Sequence, residues 1–112
     1  MANDSLLSEK ARFLIAEPTH TIFVSAVTIW EIFLKQSIGK LRLSETFSSA
    51  LLNESFESLA LTARQASAVA ALPWHHRDPF DRMLLAQAKI ERLTFLTADQ
   101  QLTAYGEFVE LA

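Results

Sequence analysis

Two short runs limit what this chain can become: TIFVSAV at 21–27 and LTFLTAD at 93–99. Both are apolar, rich in β-branched and aromatic residues, and bounded by polar ones, which is how strands buried inside a domain read. Helical stretches separate them, so the chain alternates strand and helix and predicts a mainly parallel sheet covered on both faces. Ligands of such sheets gather beyond the carboxyl ends of the strands. Asp99 stands at one of those ends.

The remaining elements follow from periodicity and caps. LSEKARFLIAE (7–17) reads as a helix capped by Ser8 and stopped by Pro18. A second helix runs from Thr28 and ends at Gly39, whose missing Cβ suits a left-handed terminus. SETFSSALLNES (44–55) reads as a helix, SLALT (58–62) as a short strand, and ARQASAVAALP (63–73) as a helix of small residues. A further helix is expected near 79–91, a short one around 99–105, and a last strand at 107–111.

At 112 residues, of which 50% are hydrophobic and 21% charged, the chain has enough apolar material for one core and no more. The expectation is a single domain over 1–112. No apolar run reaches the roughly 18 residues of a membrane span, and MANDSLLSEK lacks the basic start and apolar core of a signal peptide. A cytoplasmic place is expected, with no membrane partner. The absence of cysteine excludes disulfides, thiolate metal sites and cysteine nucleophiles, so any metal would be held by oxygen or imidazole. A net charge of −3 argues against a broad basic nucleic-acid surface but not against a nuclease with an acidic centre.

Candidate chemistry sits in HHRDPFDRMLLAQA (75–88). Asp78 suits an N-cap, Pro79 the first helical position, and Asp81 the third, where a carboxylate meets unpaired backbone N–H groups. That accounts for the two aspartates without chemistry, just as Asp99 could cap the helix after it and Glu31 could pair with Lys35 one turn on. Glu31, however, lies among Trp30, Ile32, Phe33 and Leu34, in a helix too apolar to keep a carboxylate solvated. Arg77 and Arg82 are candidate phosphate contacts, with ion pairs to Asp78 or Asp81 as the plain explanation. His75 and His76 could in principle ligate a metal, but adjacent histidines seldom point the same way and no partner stands at metal-site spacing, so they read as solvated or hydrogen-bonded loop histidines.

The segments VSAVTIWEIFLKQSIGKLRL (24–43), LPWHHRDPFDRMLLAQA (72–88) and TFLTADQQLTAYG (94–106), in this order and spacing, resemble the PIN-domain proteins of bacterial toxin–antitoxin operons, the VapC-like toxins often called PilT N-terminal domains. The resemblance implies a three-layer α/β/α domain that cuts RNA with Mg²⁺ or Mn²⁺. By position it carries the catalytic and metal-binding roles to Glu31, Asp81 and Asp99, and it places Thr97 beside them to hold a water or phosphate oxygen. An RNA substrate, a cognate antitoxin protein and a homodimer are the partners it implies.

The chain departs from that pattern at its start. Proteins of this type open with a strand of the form LLDTH whose aspartate is a metal ligand; here the first central strand and its acidic residue are missing, and the expectation is an N-terminally truncated domain. Asp4 in NDS has no apolar strand before it and reads as loop or cap. Three outcomes stay open: an upstream start, a sheet that closes up or borrows a strand, or a remnant that does not cut. Weak or absent activity is expected. Beside the ribonuclease stands the alternative of a non-catalytic module that binds an antitoxin or partner chain. A phosphorylatable receiver domain is set aside, because it needs an acidic pair after its first strand and a lysine after a late one.

Overall fold

The computed structural model describes residues 12–40 and 56–111. The expected helix over 44–55 and the first part of the expected helix over 7–17 lie outside them.

Five strands, β1 (Arg12–Ala16), β2 (Thr21–Ser25), β3 (Glu57–Leu59), β4 (Thr94–Thr97) and β5 (Val109–Leu111), form one sheet in the order β3-β2-β1-β4-β5. Three α-helices pack with it: α1 (Ala26–Ser37), α2 (Ala63–Ala68) and α3 (Pro79–Glu91), with short 3₁₀ turns at Val69–Ala71 and Gln100–Tyr105. The fold is thus the mixed α/β domain that the alternation of elements predicts. Among the described residues no helix is long and apolar enough to cross a membrane.

The largest departure lies at the centre of the sheet, which the sequence reading leaves open. Arg12–Ala16, read there as the end of a helix, forms the middle strand instead. It pairs antiparallel with both neighbours, Leu14 opposite Phe23 of β2 and Arg12 opposite Thr97 of β4. The other four strands all run one way, β2 pairing in parallel with β3 and β4 with β5. The physical reason is the hydrogen-bond demand of the sheet. Without a strand between them, β2 and β4 would bury rows of unpaired N–H and C=O groups, each costly out of water. Arg, Leu and Ala in RFLIA do favour helix, but by only tenths of a kcal/mol per residue, and Pro18 pushes Glu17 out of the α region and ends any helix there, so the sheet's demand prevails.

Direction follows from connection. The loop over residues 17–20, with a cis Glu17–Pro18 bond and a left-handed His20, joins β1 to β2, and a loop this short can only link antiparallel neighbours.

Pairing across the sheet places Phe23, Leu14, Phe95 and Val109 in one row. Leu14 and Phe95 are at most 1% exposed and pack against Leu84, Leu85 and Ala88 of α3. One pleat further toward the carboxyl ends of β2 and β4, the same face turns polar. Ser25, Arg12 and Thr97 follow Phe23, Leu14 and Phe95 there, because side chains alternate faces with a period of two. Ser25 and Thr97 are buried. This polar row is the floor on which the acidic residues meet.

The start of α3 agrees with the sequence, while α1 begins at Ala26, two residues before the expected Thr28, because Ser25 caps it. Ser25 caps α1 by accepting from the Val27 N–H, while Asp78 caps α3 with one oxygen accepting from the N–H groups of Phe80 (2.8 Å) and Asp81 (3.1 Å). Gly39, at φ +77°, closes α1 as expected: its N–H bonds to Gln36 O and the Lys40 N–H to Lys35 O.

Candidate metal centre

The starts of α1 and α3 lean together at the carboxyl edge, where the rings of Trp30 and Phe80 meet edge to face at 4.8 Å. Inside that contact lie Glu31 of α1 and Asp81 of α3, 4% and 3% exposed. Carboxylates so buried must find compensating charge. It comes from β1. Arg12 Nη1 donates to Glu31 Oε1, and Arg12 Nε lies 2.9 Å from Asp81 Oδ1. The second oxygen of Glu31 takes Lys35 Nζ at 2.6 Å, the same-helix pair that the i,i+4 spacing suggests.

Asp99 joins from the other side. Its Oδ1 accepts from the Gln101 N–H at 2.9 Å and so caps the 3₁₀ turn. Its Oδ2 lies 3.2 Å from His76 Nε2. The cap thus occupies one oxygen of Asp99 and leaves the other to face His76. Thr97 Oγ1 accepts from the Asp99 N–H at 3.1 Å and fixes where that carboxylate begins; being 1% exposed, it acts on Asp99 and has little surface to offer a ligand.

His76 connects the two aspartates. The Asp78 N–H donates to its Nδ1 at 3.2 Å, so the neutral ring carries its proton on Nε2, the atom facing Asp99. The same Nδ1 lies 3.8 Å from Asp81 Oδ2. His76, Asp81 and Asp99 each offer a ligand atom, all within 4.8 Å of one another.

Burial, first of all, pushes the Asp81 carboxyl up from 3.8 to about 6; Arg12 and His76 pull it back, and Asp78 and Glu31 push it further. Its Oδ1, although close to Arg12 Nε, is buried without an aligned hydrogen bond among the described residues. A buried carboxylate whose charge is only partly compensated is a group that a further cation, reaching its other oxygen, stabilises. Two carboxylates and an imidazole suit a divalent ion, and the imidazole favours Mn²⁺ over Mg²⁺, which prefers oxygen throughout. On these grounds a divalent cation fits the His76–Asp81–Asp99 side.

The two arginines named from the sequence part company. Arg77 is exposed next to His76. Arg82 is 4% exposed and faces inward: Nη1 donates to Pro73 O (2.8 Å) and Tyr105 Oη (3.2 Å), Nη2 to Val69 O and Leu72 O, and the guanidinium lies 3.8 Å from the centre of the Trp74 ring. Its donors are spent on backbone carbonyls, which leaves no fork for a phosphate. Tyr105 Oη, held by the same cluster, accepts from the His76 N–H at 3.0 Å. Arg82 therefore bears on the centre at one remove, through the loop that carries His76.

Two members of this centre escaped the sequence reading. His76 had a signal, the HHR placed one residue before a helix cap. Arg12 had none, because its role depends on β1 lying between β2 and β4.

The family model described as PIN domain matches residues 1–107 of the chain. No curated protein and no solved structure matches it.

Proposed function

This chain belongs to the PIN domain family, a nuclease-type fold, and from that premise we propose that it is a metal-dependent ribonuclease of the toxin type, with Asp81, Asp99 and His76 as ligands of Mn²⁺ or Mg²⁺. The observation that carries this reading is the His76 ring seated between Asp81 and Asp99 at the carboxyl edge of the sheet.

Each group has work in that reaction. Bound there, a divalent ion supplies positive charge to the phosphate under attack and makes a water more acidic. Asp81 and Asp99 would hold the ion, and His76 would join them as a neutral ring, through the ring nitrogen that carries no proton. Thr97 positions Asp99 through its backbone N–H, and Asp78 positions His76 through Nδ1. Arg77, exposed beside His76, meets an RNA phosphate as the strand enters. Glu31, held by Arg12 and Lys35, contributes negative charge behind the ligands. The substrate is RNA, the chain acts in the cytoplasm as a homodimer, and an antitoxin protein restrains it.

A second reading, that of a non-catalytic antitoxin-binding module, draws on one observation: Arg12 and Lys35 already supply two positive charges to Glu31 and Asp81. Two measurements separate the readings. The ribonuclease cleaves a structured RNA when Mn²⁺ is added, and Asp81→Asn does not; equal cutting by both proteins removes Asp81 from the reaction. Calorimetric titration with MnCl₂ gives about one ion per chain for the enzyme and none for a binding module.

A further inference from the structure

Glu31 and Asp81, both nearly inaccessible, face a guanidinium whose own side chain is 9% exposed. This is no surface ion pair. We infer that Arg12 is a tethered cation that holds Glu31 and Asp81 in the metal-free chain and competes with a divalent ion for Asp81; this rests on the metal-centre reading above.

Three features carry the inference. The first is charge. Two buried carboxylates on neighbouring helices repel unless positive charge stands between them, and Arg12 supplies it from the centre of the sheet. The second is fit. An arginine bound for its own sake uses its planar fork on one carboxylate through two parallel bonds. Arg12 divides itself instead, Nη1 to Glu31 and Nε toward Asp81, and leaves Asp81 Oδ1 without an aligned hydrogen bond. Arg12 offsets only part of the cost of burying the Asp81 charge and leaves its directional bonding unmet, so a metal ion at Asp81 competes with a contact already imperfect. The third is the tether. The Arg12 backbone is fixed in the ladder opposite Thr97, whereas its long side chain has torsions enough to withdraw from Asp81 without moving the strand.

The consequence is a fold that does not depend on metal to keep its acidic residues together, at the expense of metal affinity. With Arg12 in place the ion is confined to the His76, Asp99 and Asp81 Oδ2 side, and every ion bound there is repelled by the guanidinium on Oδ1.

The test compares the wild-type chain with Arg12→Gln and Arg12→Lys in calorimetric titrations with MnCl₂ and in melts with chelator or with Mn²⁺. Arg12→Gln should bind Mn²⁺ roughly tenfold or more tightly than wild type, as expected when a unit positive charge is removed within a few ångströms of the ion. In chelator it should melt lower than wild type, and Mn²⁺ should raise its melting temperature by more. Arg12→Lys, which keeps the charge on a single point, should fall between the two and guards against an Arg12→Gln chain that folds only with metal. Binding by Arg12→Gln no tighter than wild type overturns the proposal. Uptake by neither chain sinks the metal centre and the competition together. The internal-cation role is then read from the chelator melts: adding Glu31→Gln to Arg12→Gln restores stability if Arg12 neutralises the pair, and a melt without gain overturns that role as well.

Discussion

Arg12 and Thr97 face each other across the ladder between β1 and β4, and they stand at the same edge of the sheet only because β1 runs against its neighbours. A parallel strand would have delivered its last residue to this edge. The reversed strand delivers its first, and with it a guanidinium directed at two carboxylates.

The central position of β1 has a mechanical consequence. Leu14 is 1% exposed in the row between Phe23 and Phe95, so Leu14→Ala should cost about 2–5 kcal/mol. Were residues 12–16 the end of a surface helix, the loss would stay under about 1 kcal/mol. Denaturant unfolding of the two proteins distinguishes these, and slow amide exchange at residues 13–15 would accompany the larger value.

Stability of the metal-free chain should fall between pH 4 and 6.5. Asp81 holds its proton to about pH 6 when folded against 3.8 when free, so the folded state binds the proton more tightly. The penalty for burying its charge is absent below pH 3.8, grows through the interval and is complete above about 6, reaching about 3 kcal/mol. Denaturant unfolding in chelator should show this slope in the wild type and a much flatter profile in Asp81→Asn. Mn²⁺ affinity should rise over the same interval, because the ion displaces that proton.

Replacing His76 with asparagine removes the imidazole while leaving both aspartates. Mn²⁺ affinity should drop by about 10- to 100-fold and Mg²⁺ affinity by less, since nitrogen ligands favour the transition metal. Parallel titrations with the two ions read the difference; equal losses would mean that His76 only orients Asp99.

Arg82→Ala should behave as a stability variant. The guanidinium serves three backbone carbonyls and the Tyr105 hydroxyl, and leaving these without donors should cost about 3 kcal/mol. Melting temperature should fall while Mn²⁺ affinity, measured well below the transition, changes little. A selective loss of RNA binding with unchanged melting would restore Arg82 to the phosphate contacts.

Local signals made much of the fold legible. The Asp78–Pro79–Asp81 sequence marks the start of α3, Gly39 the end of α1, and the β-branched runs the cores of β2 and β4, because caps, turn conformations and strand propensity act over a few residues and leave their mark on residue type. Glu31, Asp81 and Asp99 stood out in the same way, each beside a helix start or within an apolar helix where a carboxylate is out of place. Asp99 shows the limit of such reading: one of its oxygens is a cap and the other is not, and only the fold tells them apart.

What tertiary structure alone decided is the state of residues 12–16 and everything that hangs on it. Taken by themselves RFLIA and its flanks read as helix; between β2 and β4 the need to satisfy two rows of buried backbone groups outweighs that local preference. The strand's direction came from a short connection to β2, and the direction set which end of the segment meets the acidic pocket. Arg12 is therefore invisible as a site residue in the linear chain, because its partners lie 19 and 69 positions away and charge pairing at that separation leaves no periodicity to read.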